Sequence, residues 1–177
     1  MNKNLFLALV LAVLFVAGCS PQEPLDIIDP VTAPGERQGF SDWKTTALVD
    51  VQTGEEVRVA DFAGEPLFVQ PFAVRCANCL EQQQEIQALD VAHLAINTAP
   101  SEDEELVRSY FEQHGFSGSY VVSSTRYTGL LIDAFGEDVM NPSRNPVILV
   151  CPSGSSELLP RGFKSTQELE AFVVTRC

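Results

Sequence analysis

The sequence predicts an α/β fold: a mixed central sheet flanked by helices, with an N-terminal β-hairpin extension. Three observations predict it. Apolar runs of strand length alternate with helix-forming stretches over residues 66–135, which argues strands joined through helices and therefore a parallel portion. Short paired runs around glycine turns stand at both ends of that alternation and argue antiparallel edges. With 177 residues and 45% apolar composition, the chain can bury one sizeable core.

The elements run in order along the chain. Residues 46–51 form a strand, Gln52-Thr53-Gly54-Glu55 a turn and residues 56–59 a return strand. After Asp61-Phe62-Ala63-Gly64, residues 66–74 are apolar enough for the middle of a sheet. Residues 77–89, rich in Gln, Glu, Leu and Ala, favour a helix. Residues 91–97 give the next strand, and Ser101-Glu102-Asp103-Glu104 reads as a capping box, its acids a solvated helix start. Leu106, Val107, Tyr110 and Phe111 recur at helical spacing until Gly115 stops the helix. A strand at 120–123, a helix at 127–135, a proline-led strand at 145–150 and a return strand at 157–161 come next. Ser165-Thr166-Gln167-Glu168 caps a last helix through Thr175, completing β-β-β-α-β-α-β-α-β-β-α. Trp43 and Phe40 are expected to pack on the edge of the core.

The N-terminal residues are set apart from this domain. One lysine in MNKN, the apolar run LFLALVLAVLFV and Ala17-Gly18-Cys19 make residues 1–18 a secretory signal, too short for a comfortable membrane span. Val16-Ala17-Gly18-Cys19 resembles the lipobox of prokaryotic lipoproteins, which implies cleavage before Cys19 and a diacylglyceryl group on its sulfur. The plainer alternative is an ordinary secretory signal. Residues 19–39 hold several prolines and acids and form a lipid-anchored flexible tether; the folded domain spans residues 40–177. The expected location is extracytoplasmic, on the cell membrane through the lipid on Cys19. A net charge of −13 repels nucleic acid and anionic headgroups, so neither is an expected partner.

Beyond Cys19 stand Cys76, Cys79, Cys151 and Cys177, an even set behind an export signal, where disulfides persist. Cys76 and Cys79 fall where the apolar strand meets the helix. That places one sulfur at the helix start and the other a turn in, within bonding reach. The helix N-terminus and Arg75 both favour a Cys76 thiolate, the form that attacks a disulfide, and Cys79 is the resolving thiol. Two blander readings compete. A lone CxxC is a zinc half-site, but no second half-site is present, so no metal is expected. A purely structural staple is the other, although so short a loop contributes little chain entropy.

Residues 47–50, Asp61-Phe62-Ala63-Gly64-Glu65-Pro66, the apolar strand and Cys76-Ala77-Asn78-Cys79 resemble the thioredoxin-like, TlpA-type thiol-disulfide oxidoreductases of prokaryotic envelopes. The resemblance runs through essentially all of residues 40–177. It implies a thioredoxin-like fold and dithiol-disulfide exchange with protein thiols or disulfides and a redox partner, with no cofactor. It implies a cis proline facing the CxxC: Pro146 matches by position, with Asn145 pairing to the substrate chain, and Pro142 is the rival. Two departures stand out. Arg75 replaces an aromatic before the first cysteine, and Gln70 occupies the place where many thioredoxins bury an acid that handles the resolving thiol's proton. The pattern lacks the threonine of the peroxidase branch and the cysteine spacing of the copper-chaperone branch. His93 and His114 are read as structural or solvated. Cys151 and Cys177 are candidates for a structural disulfide whose loop of about 25 residues would contribute roughly 3 kcal/mol. The competing functions are a thioredoxin-fold binding module, carrying metal or protein, and a redox-inactive envelope lipoprotein.

Overall fold

The computed structural model describes residues 42–177. The expected signal at 1–18, Cys19, the tether at 19–39 and Phe40 lie outside the described residues. Among the described residues, no helix is long and apolar enough to cross a membrane.

The elements are β1 (Leu48–Val49), β2 (Glu56–Val57), β3 (Leu67–Phe72), α1 (Ala77–Gln87), β4 (Ala92–Asn97), α2 (Glu104–His114), β5 (Ser119–Val122), α3 (Thr125–Phe135), β6 (Ile148–Val150), β7 (Ser156–Leu158) and α4 (Thr166–Arg176). This is the order the sequence predicts. Short 3-10 turns at Val59–Phe62, Glu137–Met140 and Pro142–Arg144 join them. The main sheet runs β5-β4-β3-β6-β7. β3, β4 and β5 are parallel, whereas β6 and β7 pair antiparallel beside β3.

β3 occupies the centre because every one of its residues is buried, as a strand covered on both faces requires. On one face Leu67, Val69, Leu94, Ile96 and Ile148 pack with Tyr127 and Leu131 of α3. On the other, Phe72, Ala95 and Tyr120 meet Val107 of α2, while Phe68 and Leu149 meet Ile86 of α1 and Leu169 of α4. Each such fully buried side chain contributes about 1.5–3 kcal/mol. Trp43 lies inside this core, its ring edge-on to Phe135 and its carbonyl accepting from the Tyr127 hydroxyl.

The hairpin β1-β2 forms its own two-stranded sheet, and Asp50 docks it. One Asp50 carboxylate oxygen accepts from the turn amides of Gln52 and Thr53, and the other from the Tyr120 amide on β5. The extension thereby covers an edge strand whose backbone groups would otherwise stand open.

Helix ends obey local chemistry. Ser165 and Glu168 form the reciprocal box that starts α4, and Gly115, at φ 63°, ends α2. The start of α2 differs from the sequence reading. Asp103, rather than Ser101, is the N-cap and accepts from the Leu106 amide at 2.9 Å. That shift releases Glu102 from the helix surface into the interior, where it is 6% exposed.

Candidate active site

Cys76 and Cys79 form a disulfide with a Cα–Cα distance of 5.2 Å where β3 gives way to α1. Cys76 is the N-cap of α1, and its sulfur accepts the Cys79 amide at 3.2 Å. Cys76 is half-buried; Cys79, a turn deeper, is fully enclosed. That amide and the positive end of α1 both face the Cys76 sulfur, the more exposed of the two.

The turn that delivers Cys76 is held by Glu102. Its buried carboxylate accepts from the Val74 amide at 2.7 Å, the Arg75 amide at 3.3 Å and Asn97 Nδ2 at 2.6 Å. Charge-assisted bonds of this kind are roughly twice as strong as neutral ones. From sequence alone Glu102 reads as a solvated acid. The only available signal is its position one residue before a better N-cap, Asp103. The Arg75 side chain is exposed and faces the groove beside the disulfide, where it is the one charged group among the described residues.

Beneath Cys79 the interior is polar and uncharged at neutral pH. Gln70, fully buried, donates from Nε2 to the Cys79 carbonyl at 3.2 Å. Gln83, one turn along α1, accepts from the Tyr110 hydroxyl at 2.8 Å. Burial first, and then the Glu102 charge, raise the Tyr110 pKa; burial and then Tyr110 raise that of Tyr120. Both phenols therefore stay protonated. Strand register sets Gln70, Ala95 and Tyr120 side by side across three strands, which places Gln70 in the sheet beneath Cys79.

Of the two candidate prolines, Pro142 is the one that lines the groove at the disulfide. The Pro142 carbonyl lies 3.6 Å from Cys79 Sγ, and the Ser143 carbonyl accepts from Asn78 Nδ2 at 3.5 Å. Asn141, Pro142 and Ser143 line the groove at the disulfide. Asn145 and Pro146 are buried behind them, and no peptide bond among the described residues is cis. A 3-10 turn at Pro142–Arg144 carries the chain up to α1, and Asn145, at φ 50°, takes the reversal into β6. Asn tolerates that left-handed conformation. Lys164 Nζ holds the Asn145 carbonyl at 2.7 Å, and burial pushes the Lys164 pKa down to about 8.

The other sequence-predicted residues lie elsewhere. Cys151 and Cys177 form a second disulfide, Cα–Cα 5.2 Å, joining the end of β6 to the end of α4. His93 is buried on β4, its Nδ1 accepting from Gln87 Nε2 at 3.0 Å, and burial pushes its pKa down to about 3. His114 stacks on Phe116 at the end of α2. Among the described residues, no group of three His, Cys, Asp or Glu side chains converges on a point.

No protein-family model matches the chain, and no curated protein matches it. Solved structures do. A secreted Mycobacterium tuberculosis disulfide oxidoreductase homologous to E. coli DsbE is 15% identical with a TM-score of 0.56, over 75% of this chain and 96% of that one. A thiol:disulfide interchange protein of the thioredoxin family from Chlorobium tepidum TLS is 16% identical with a TM-score of 0.56, over 73% and 90%. StoA from Bacillus subtilis is 14% identical with a TM-score of 0.52, over 71% and 93%. The chain thus has the thioredoxin-like fold, with Cys76 and Cys79 as a CxxC pair at the head of its first helix.

Proposed function

We propose that the protein is a thiol-disulfide oxidoreductase that exchanges the Cys76–Cys79 dithiol and disulfide with protein substrates outside the cytoplasmic membrane. A lipid on Cys19 holds it at the membrane surface. The observation that carries this reading is the asymmetry of the pair: a reachable sulfur capping α1, bridged to a fully enclosed one. The oxidoreductases of similar fold support it.

In the reducing direction, the Cys76 thiolate attacks one sulfur of a substrate disulfide. The Cys76–substrate bond forms, the substrate S–S bond breaks, and the first substrate thiolate leaves to take up a proton. Cys79 then loses its proton and attacks Cys76 Sγ, forming the intramolecular disulfide and expelling the second substrate thiolate. Two electrons have passed from the CxxC to the substrate, and a dithiol partner protein restores them. In the oxidising direction every step reverses and a disulfide partner recharges the pair. Arg75 favours the thiolate, the backbone at residues 141–143 receives the substrate chain, and Asn145 with Pro146 supports that turn from behind. Gln70 supplies no proton acceptor, so the Cys79 proton leaves through water at the groove.

The experiment is exchange with hydroxyethyl disulfide and insulin by the reduced protein, with Cys76→Ala and Cys79→Ser alongside. Cys76→Ala abolishes exchange, and Cys79→Ser accumulates the mixed disulfide. Unchanged exchange by Cys76→Ala overturns the reading.

A further inference from the structure

Lys164 is the one buried cation among the described residues, 3% exposed, and the exchange chemistry makes no use of it. It links the two elements that wall the disulfide groove, α1 and the turn at Pro142–Arg144. On the α1 side, fully buried Gln82 grips its backbone. Gln82 Oε1 accepts from the Lys164 amide and Gln82 Nε2 donates to the Lys164 carbonyl, both at 2.9 Å. On the other side, Lys164 Nζ donates to the Asn145 carbonyl at 2.7 Å and to the Gly162 carbonyl at 2.6 Å. The Gly162 amide donates in turn to the Arg144 carbonyl at 2.9 Å, and the Asn145 amide to the Pro142 carbonyl at 3.0 Å. One lysine therefore ties the helix that carries the cysteines to the far end of the turn that faces them.

The strength of that tie depends on a proton. The bonding partners of Nζ are carbonyls, and an ammonium donates to a carbonyl about twice as strongly as a neutral amine does. Burial pushes the Lys164 pKa down to about 8, so the proton is exchanged in mild alkali, where an exposed lysine keeps its charge. The charged groups around it are few. Glu168, in the first turn of α4, favours the ammonium. From α1 comes the neutral amide of Gln82, while Glu85 is engaged by Thr166. The Arg144 and Arg161 guanidiniums are both held by Asp138.

We propose that Lys164 is a positioning residue that makes the grip on polypeptide substrates sensitive to pH: its ammonium holds the Asn145 end of the turn against α1, and the neutral amine lets that turn slacken. The inference rests on the oxidoreductase reading, in which the backbone at residues 141–143 receives the substrate chain, and adds regulation to that same site. A small disulfide needs only the Cys76 sulfur and is indifferent to the turn. Lys164 touches no reacting atom, so the bond changes of the exchange are those given above.

The test uses the full chain, reduced, and two substrates. One is hydroxyethyl disulfide; the other is an acetylated, amidated pentapeptide, Ala-Ala-Cys-Ala-Ala, presented as its mixed disulfide with mercaptoethanol. Neither substrate titrates in the range of interest, and dividing the peptide kcat/KM by that for hydroxyethyl disulfide removes the titration of Cys76, which both share. The ratio is level near neutral pH and falls about fivefold through about pH 8, as a rise in KM at constant kcat, which is the scale of a charge-assisted bond against a neutral one. Glu168→Gln keeps a residue that can box the start of α4 but removes the charge that favours the ammonium, and it moves the fall to lower pH. Lys164→Met holds the ratio at its low value throughout, and Glu168→Gln decides the matter where Lys164→Met does not fold. A ratio independent of pH in the unsubstituted protein overturns the proposal, as does a fall that Glu168→Gln leaves in place or that persists in Lys164→Met. No exchange with hydroxyethyl disulfide at any pH overturns the oxidoreductase reading and this regulation with it.

Discussion

Cys76–Cys79 and Cys151–Cys177 span the same Cα–Cα distance, 5.2 Å, but lie 3 and 26 residues apart in sequence. They also stand at opposite ends of the sheet. β3 and β6 are antiparallel with Leu67 opposite Val150, so Cys151 lies at the start of β3 and Cys76 beyond its finish. Six residues of strand put roughly 20 Å between those ends. Neither pair reaches the other while the sheet is intact. One end carries a helix N-terminus, a charged groove residue and a buried carboxylate steering the approach to Cys76. At the other, the chain terminus is fastened to a turn, with Cys151 exchanging backbone bonds with Gly154 and Ser155. The lesson is a division of labour: reactivity depends on the surroundings of a disulfide, and stabilisation on the length of loop it closes.

Replacing Cys151 and Cys177 together by serine breaks the comparison at its strongest point. The loop-entropy model assigns that bridge about 3 kcal/mol, which for a domain of this size is a fall in Tm of about 10 °C. Exchange by Cys76 at 25 °C is retained. Calorimetry and the hydroxyethyl disulfide assay check both halves, and a loss of exchange with no loss of stability would reverse the assignment.

Glu102→Gln sharpens it at the other end. Val74 and Arg75 bond different carboxylate oxygens, so the amide nitrogen of a glutamine faces one of the two donors and leaves it unsatisfied, at a cost of about 2 kcal/mol. Hydrogen exchange is expected to quicken at those two amides and at the start of α1, while protection around Cys151 is unchanged. Uniform loss of protection across the sheet would show that Glu102 is not local to the CxxC end.

The remaining effect is one of pH and belongs to neither disulfide. His93 is held neutral by burial, with a folded pKa of about 3 against 6.5 for the free side chain. Between those values the unfolded chain binds a proton that the folded one does not. Stability is therefore complete above pH 6.5 and falls on acidification, by about 1.4 kcal/mol per pH unit from this residue. His93→Gln flattens that part of the profile in denaturant titrations from pH 7 to pH 4. An unaltered slope would locate the acid sensitivity elsewhere.

Much of the frame was legible in the sequence. Element order, the central position of residues 67–72 and the cysteines at a strand-to-helix junction all come from periodicity and local propensity, which act over a few residues. The features that escaped depend on side chains meeting across the fold. Glu102 reads as one acid in an acidic run, and only the packing of α2 against β4 brings it under the Val74 amide. Pro146 fits the expected position because an apolar strand comes directly after it, whereas Pro142 reaches Cys79 because a 3-10 turn and a left-handed Asn145 intervene. Asp103 and Ser101 are both good caps, and a shift of two residues between them decides whether Glu102 faces solvent or core. Gln70 was visible as a departure, but its bond to the Cys79 carbonyl was not.

The central claim is that one disulfide is a reagent and the other a fastening. The direct measurement is a redox titration of the full chain in which thiols are alkylated at each poise and mapped by mass. Cys76–Cys79 is expected to reduce with a midpoint between about −270 and −120 mV, and Cys151–Cys177 only below about −300 mV. Joint reduction at one potential, or earlier opening of Cys151–Cys177, would contradict it.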